Sequence, residues 1–275
     1  MYNKVKFGTA DWNLWPISND YEVVFPQVKQ LGISYLEIGI YTPSKELSSS
    51  RISEIVNQQK KHGVEISAAL FSLTPEVWPQ CALSNLESEF LAEFDYFLRA
   101  LEQLGIRHAN IWTGADGVDA NLDSVNSSLN QMNELAAKFD GVVSIEYKAD
   151  TVFPDGLTLL KQLEKYEHLK VLLDTGHAFA LEEDVLALLN ILQENNKLGA
   201  MHLGDALPGD SDADLPCGRV HDFEAIFRKM QEIQFNGPAN FDLYGAAVDV
   251  TGPGPIPILQ ESQDNVIESL RRLVQ

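Results

Sequence analysis

The sequence predicts an α/β fold built as one closed (β/α)8 barrel. Three observations carry this. Short apolar runs alternate with helical patterns from one end of the chain to the other. The runs begin at roughly residues 5, 34, 64, 109, 142, 171, 199 and 239, which makes eight βα units. A length of 275 residues suits a barrel that typically takes about 250. An open doubly wound sheet is the competing arrangement, but no G-x-G-x-x-G follows the first strand. No linker or break in composition divides the chain, so residues 1–275 are expected to form a single domain.

The first strand is read over Val5 to Thr9 and runs into a loop holding Asp11, Trp12 and Trp15. Val24, Val28 and Leu31 mark the first helix, which Gly32 ends. Ser34 to Ile38 is the second strand, and Ile52, Ile55 and Val56 mark a helix closed near Gly63. Val64 to Leu70 is the third strand. Its helix has the clearest stripe, with Phe90, Leu91, Phe94, Phe97, Leu98, Leu101 and Leu104 at three- and four-residue steps before Gly105. Ala109 to Trp112 is the fourth strand, followed by Leu122, Val125, Leu129, Met132 and Leu135 on one helix face.

The fifth strand, in GVVSIEY, ends at Glu146 and precedes a helix with Leu160 and Leu163. In VLLDTGHA, Val171, Leu172 and Leu173 read as a strand buried on both faces, ending at Asp174. Gly176 would let the chain turn tightly before His177. A helix with Val185, Leu188, Leu189 and Leu192 follows. The seventh strand, in LGAMHLGD, ends near His202; the long loop ALPGDSDADLPCGRV leads to a helix with Phe223, Ile226, Phe227 and Met230. The eighth, in ANFDLYG, carries Asp242. After TGPGPIP comes a last helix with Val266, Ile267, Leu270, Leu273 and Val274. All these apolar stripes are read as core packing.

Lys plus Arg number 20 against 40 Asp plus Glu, a formal net charge of -20. Such a surface repels a phosphate backbone, so nucleic acid is not expected as a partner. Cys81 and Cys217 have neither metal-ligand spacing nor a disulfide pattern, which fits a reducing compartment. MYNKVKFGT enters a strand without a signal-like apolar stretch, and no run approaches the roughly 20 apolar residues of a membrane span. The expectation is a cytoplasmic protein without membrane contact, with a homo-oligomer left open.

Glu146, Asp174, His202 and Asp242 each close a strand of their own. In a parallel barrel the strand C-termini converge on one rim, which brings these four metal-ligand types together. Singly, each also reads as a capping carboxylate or a satisfied core histidine; the set of four points to a metal site.

The order of these residues resembles the xylose isomerase-like TIM barrel superfamily, the sugar phosphate isomerase/epimerase family. That superfamily includes ketose 3-epimerases, inosose-processing enzymes and endonuclease IV. The resemblance spans nearly the whole chain, from FGTADW to the final helix. Its motifs are D-T-G-H after the sixth strand, H-L-G-D after the seventh, G-R-V-H-D-F entering the seventh helix and F-N-G-P-A-N-F-D at the eighth. They specify the superfamily better than the substrate.

The resemblance implies one divalent ion held by Glu146, Asp174, His202 and Asp242. Three carboxylates and an imidazole suit Mn²⁺, Mg²⁺ or Co²⁺ better than structural Zn²⁺, with Zn²⁺ still possible. Glu146 and Asp242, on opposite sides of the barrel mouth, would exchange protons with the substrate. Relatives usually carry Glu where this chain has Asp242, one methylene shorter, so its reach as a base is the point of departure. His177 is similar to a substrate-contacting histidine, with a capping role as the alternative. Arg219 matches a substrate-binding arginine or pairs with Asp210, Asp212 or Asp214 of its own loop. Lys148 projects into the pocket or lies on the rim, and Glu37 bonds substrate or a neighbouring strand. Trp12, Trp15 and Trp112 form a sugar-stacking wall or are core residues.

Endonuclease IV is set aside. Its three-metal cluster needs an Asp-x-His pair where this chain has Arg219-Val220-His221, and a histidine where the third strand ends Ala69, Leu70, Phe71. The expected function is metal-dependent isomerisation or epimerisation of a small sugar, ketose, inosose or other cyclitol. A metal-dependent dehydratase of an inosose or dehydroshikimate-like ring, and a non-catalytic sugar-binding barrel, are the alternatives.

Overall fold

The computed structural model describes residues 5–79, 81–84, 89–114 and 121–273. Val274, read above as part of the last helix, lies outside them. In chain order the elements begin with β1 (Lys6–Ala10), α1 (Tyr21–Gln30), β2 (Tyr35–Ile40), α2 (Pro43–Glu46), α3 (Ser49–His62) and β3 (Glu65–Phe71). There follow α4 (Phe90–Leu104), β4 (His108–Ile111), α5 (Leu122–Ala136), β5 (Val142–Glu146), α6 (Gly156–Leu163) and β6 (Leu169–Asp174). Next come α7 (Thr175–Ala180), α8 (Val185–Glu194), β7 (Leu198–Leu203), β8 (Asp205–Leu207) and β9 (Asp210–Leu215). The chain closes with α9 (Phe223–Glu232), β10 (Pro238–Phe241), α10 (Tyr244–Val248) and α11 (Pro255–Arg272).

Eight strands form a closed parallel barrel in the order β1-β10-β7-β6-β5-β4-β3-β2, so the (β/α)8 expectation holds. Helix starts are set by polar caps: Ser48, Asn121, Asp155, Asp184 and Asp222 accept first-turn N–H groups of α3, α5, α6, α8 and α9. Gly63 and Gly105 end α3 and α4 at φ of 65° and 72°, where a side chain would be strained.

The apolar core lies between strands and helices, with Phe25, Phe94, Phe97 and Phe227 fully buried there. The barrel interior is polar instead. Glu37, Ser67, Asn110, His202 and Asn240 come from five strands and bond to one another across the lumen. A buried polar group without a partner costs on the order of 1–3 kcal/mol, which these mutual bonds largely avoid; Asn110 Oδ1 is the exception among the five, buried without a partner.

Three connections carry structure the sequence did not announce. Residues 175–180 are helical from the first residue after Asp174, so Gly176 serves close packing and not a tight turn; a Cβ there would lie 3.2 Å from Asp174 Oδ1. The loop after β7 folds into the antiparallel hairpin β8–β9. The segment after Asp242 forms α10, which packs against β9. No helix among the described residues is long and apolar enough to cross a membrane.

Candidate metal centre and active site

Register places the four expected ligands on one rim. Glu146 ends β5, Asp174 ends β6 and pairs with His202 on β7, and Asp242 follows β10 directly. One ligand atom from each lies within 4.8 Å of all the others. His202 is the hub: its Nδ1 is 3.3 Å from Glu146 Oε1, 3.4 Å from Asp242 Oδ2 and 3.7 Å from Asp174 Oδ2. The strands of Glu146 and Asp242 stand three steps apart around the barrel, so their carboxylates flank the imidazole.

Three of the four groups are oriented by a second bond. His202 Nε2 donates to Glu37 Oε2 at 3.1 Å, which leaves Nδ1 to face the carboxylates. Asp174 Oδ1 caps α7 by accepting the N–H of His177 at 2.9 Å, freeing Oδ2 for the cluster. Asp242 Oδ1 accepts from Trp12 Nε1 at 2.9 Å. The backbone around Asp242 is clamped by Asn13, whose amide donates to Phe241 O at 2.7 Å and accepts from Leu243 N at 2.9 Å. A histidine whose other nitrogen is held by a carboxylate is the usual arrangement of a metal-ligating imidazole.

The charge balance fits a cation. Burial disfavours protonated His202, but Glu37 and Glu146 outweigh it and hold the imidazole pKa well above its ordinary value. Burial also pushes Asp242 up to about 6 against the pull of His202, with Asp174 and Glu146 adding repulsion. For Glu146, burial is outweighed by His202, His177 and Lys148, and its pKa is lowered. The cluster thus gathers protons to offset its own negative charge. A divalent ion offers the same compensation, and the donor set of three carboxylates and one imidazole fits it.

A cavity of about 470 Å³ opens above this cluster. Glu146 and Asp242 reach it from the floor, and His177 and Lys148 from its side. His177 Nδ1 donates to Tyr147 O at 2.9 Å and lies 3.7 Å from Glu146 Oε1. Lys148 is paired with Asp212 of β9; burial alone would lower its pKa, but Asp212 outweighs that and raises it. Asp214, also on β9, accepts from Gly245 N at 2.7 Å, and burial next to Asp242 lifts its pKa well above the carboxylate range. Trp112 joins Trp15, Tyr41, Trp78 and Tyr244 on the aromatic side.

Two expected substrate contacts are placed elsewhere. Glu37 is fully buried and spends its carboxylate on His202, Asn110 and Asn240, because its side chain points into the barrel lumen below the cavity. Arg219 forms a two-pronged bond to Glu261 on α11, at 2.6 and 2.7 Å, and is absent from the cavity lining. Its partner is neither a substrate nor an acid of its own loop. The H-L-G-D and G-R-V-H motifs also meet: Asp205 accepts from Val220 N, His221 N and His221 Nδ1, tying hairpin to helix. Tyr41, Trp78 and Tyr244 line the cavity without having been singled out from sequence, since isolated aromatics in loops carry no spacing signal. Asn13, one residue from Trp12, was equally silent.

A model of the xylose isomerase-like TIM barrel matches residues 25–274. The chain belongs to the xylose isomerase-like TIM barrel family. Solved structures share this fold at low identity. L-ribulose 3-epimerase superposes with a TM-score of 0.78 at 15% identity, covering 98% of this chain and 95% of its own. D-allulose 3-epimerase from Methylomonas sp., in complex with D-allulose, gives 0.76 at 14%, covering 97% of each chain. The IOLI protein with a bound zinc atom gives 0.73 at 14%, covering 97% of this chain and 98% of that one. No curated protein matches this family member by sequence.

Proposed function

We propose that this family member is a divalent-metal-dependent isomerase or epimerase of a small sugar, ketose or inosose. The observation that carries the reading is the convergence of one ligand atom each from Glu146, Asp174, His202 and Asp242 within 4.8 Å, with Glu146 and Asp242 lining a cavity. The oxygen-rich set favours Mn²⁺, Mg²⁺ or Co²⁺, and the zinc in the IOLI structure keeps Zn²⁺ in the panel to be tested. An ion held there would polarise a substrate carbonyl and acidify the neighbouring C–H.

The chain's own groups then have separable tasks. Glu146 takes the proton, its charged form favoured by His202, His177 and Lys148. His177, fixed by donating through Nδ1, offers Nε2 as an acceptor to a substrate hydroxyl. Trp112 packs on the sugar, and Lys148 holds the hairpin through Asp212. Asp242 returns the proton in the two-base version.

One observation favours a second reading. Asp242 has one oxygen committed to Trp12 and the other turned to the ligand cluster, leaving little freedom to act as a base. A dehydratase of an inosose-like ring needs only Glu146 for abstraction. Incubation in deuterated water with a panel of ketoses and inososes separates the cases. Epimerisation predicts deuterium in recovered substrate and product, with Asp242→Asn losing the labelled epimer while still binding substrate. An ultraviolet-absorbing product without epimer would favour the dehydratase. Absence of exchange for every compound that binds would leave a sugar-binding barrel and end the enzymatic reading.

A further inference from the structure

We propose that the cavity accepts an uncharged two-ring glycoside, with its aromatic wall forming a second subsite for the ring attached to the reacting sugar. This rests on the reading of the carboxylate floor as the place of sugar chemistry. Tyr244, Trp15, Tyr41, Trp78 and Trp112 form an unbroken run of neighbouring rings. Successive centroid distances are 6.3, 5.6, 6.1 and 4.9 Å. All five line the one cavity beside the carboxylate floor, and together they offer more ring surface than a single pyranose ring covers. Trp78 is anchored by its Nε1 donating to Leu73 O at 2.6 Å, which holds the ring out as a platform. The volume, about 470 Å³, falls in the range that takes drug-sized ligands, larger than a free hexose.

Charge decides what the second group is. Among the described residues lining the cavity, Glu146, Asp212, Asp214 and Asp242 are acidic, and Lys148 is already paired with Asp212. Arg219 is held on Glu261 outside it. A phosphate brings a charge of about -1.5 to -2 and needs cations or N–H groups to receive it. Among the described residues, no side chain of this lining supplies an unpaired cation. A flat, uncharged ring stacking its face on tryptophan and tyrosine meets both conditions.

Calorimetric titration of the Mn²⁺-replete protein with D-glucose, D-glucose 6-phosphate and 4-nitrophenyl β-D-glucopyranoside tests this. The aryl glycoside is expected to bind roughly tenfold more tightly than D-glucose, as one added ring contact allows. The 6-phosphate is expected to bind no more tightly than D-glucose. Trp78→Ala should erase the advantage of the glycoside, and Trp78→Phe, which keeps a ring, should retain much of it; unchanged melting of both excludes misfolding. Preference for the phosphate, equal affinities for glycoside and glucose, failure of the glycoside to bind, or equal loss in both variants would overturn the proposal. Each of these leaves the solvent-exchange test of the epimerase reading intact, because that test reads proton transfer and not ligand size.

Discussion

The carboxylate floor and the aromatic wall line the same cavity but are held in place by different means. Glu146, Asp174 and His202 sit on the last residues of three adjacent strands or one step before them, and all are buried. Three of the four groups are fixed by a neighbour outside the cluster: Glu37 beneath His202, the His177 N–H on Asp174, Trp12 on Asp242. The wall is built from segments between strands. Trp15, Tyr41, Trp78 and Trp112 are only partly buried and steady one another by edge and tilted contacts. Proton transfer tolerates displacements well under an ångström, so its groups belong on the barrel frame. Recognition of a ring face is more forgiving and can be carried by loops.

This difference ranks the expected effects of substitution. Replacing the proposed base, Glu146→Gln, keeps an oxygen ligand and should lower solvent exchange about 10²–10⁴-fold, measured by proton NMR in deuterated water. Next comes the support below the floor. Glu37→Gln puts an amide where Asn110, Asn240 and His202 all need an acceptor, so at least one donor is left unmatched. Metal affinity should fall about 10–100-fold in competition with a chelator. Arg219→Ala, outside the cavity, should leave that affinity unchanged.

Smaller changes follow at the seam between the two regions. Trp12→Phe removes the bond to Asp242 Oδ1 but keeps a ring; the loss of one charge-assisted hydrogen bond should weaken metal binding about tenfold or less. The smallest effect is expected at Asp11, which carries the loop leading to Trp12 and Trp15. Burial, partly offset by bonds from Gly39 N and Tyr21 OH, pushes its pKa from 3.8 to about 7. The folded chain therefore holds a proton that the unfolded chain releases at lower pH. The resulting stability is full below 3.8 and is lost as pH rises through about 7. Asp11→Asn should flatten the fall of Tm between about pH 4 and 8, and an unchanged slope would assign the fall to other groups.

Residues on strand ends were legible from sequence because periodicity fixes where a strand stops, and the residue there inherits the rim. Glu146, Asp174, His202 and Asp242 were found this way, and the closed barrel followed from counting units. Glu37 stayed open between substrate and strand because alternation along a short strand does not tell lumen from cavity mouth: its carboxylate enters the barrel and bonds to residues of other strands. Arg219 was misplaced because Glu261 lies 42 residues further on, and sequence offered only the nearer acids. The hairpin β8–β9 was hidden in a stretch rich in Asp, where strand propensity is low and pairing is supported by contacts with α7 and α10.

The proposed metal centre is tested most directly by elemental analysis of the purified protein beside its Asp174→Ala, His202→Ala double variant. Wild type should carry or take up about one divalent ion per chain, and the variant should bind none under the same loading. His177→Ala, which alters a cavity residue but none of the four ligands, should keep the ion. Undiminished metal in the double variant would contradict the assignment of these four side chains as the site.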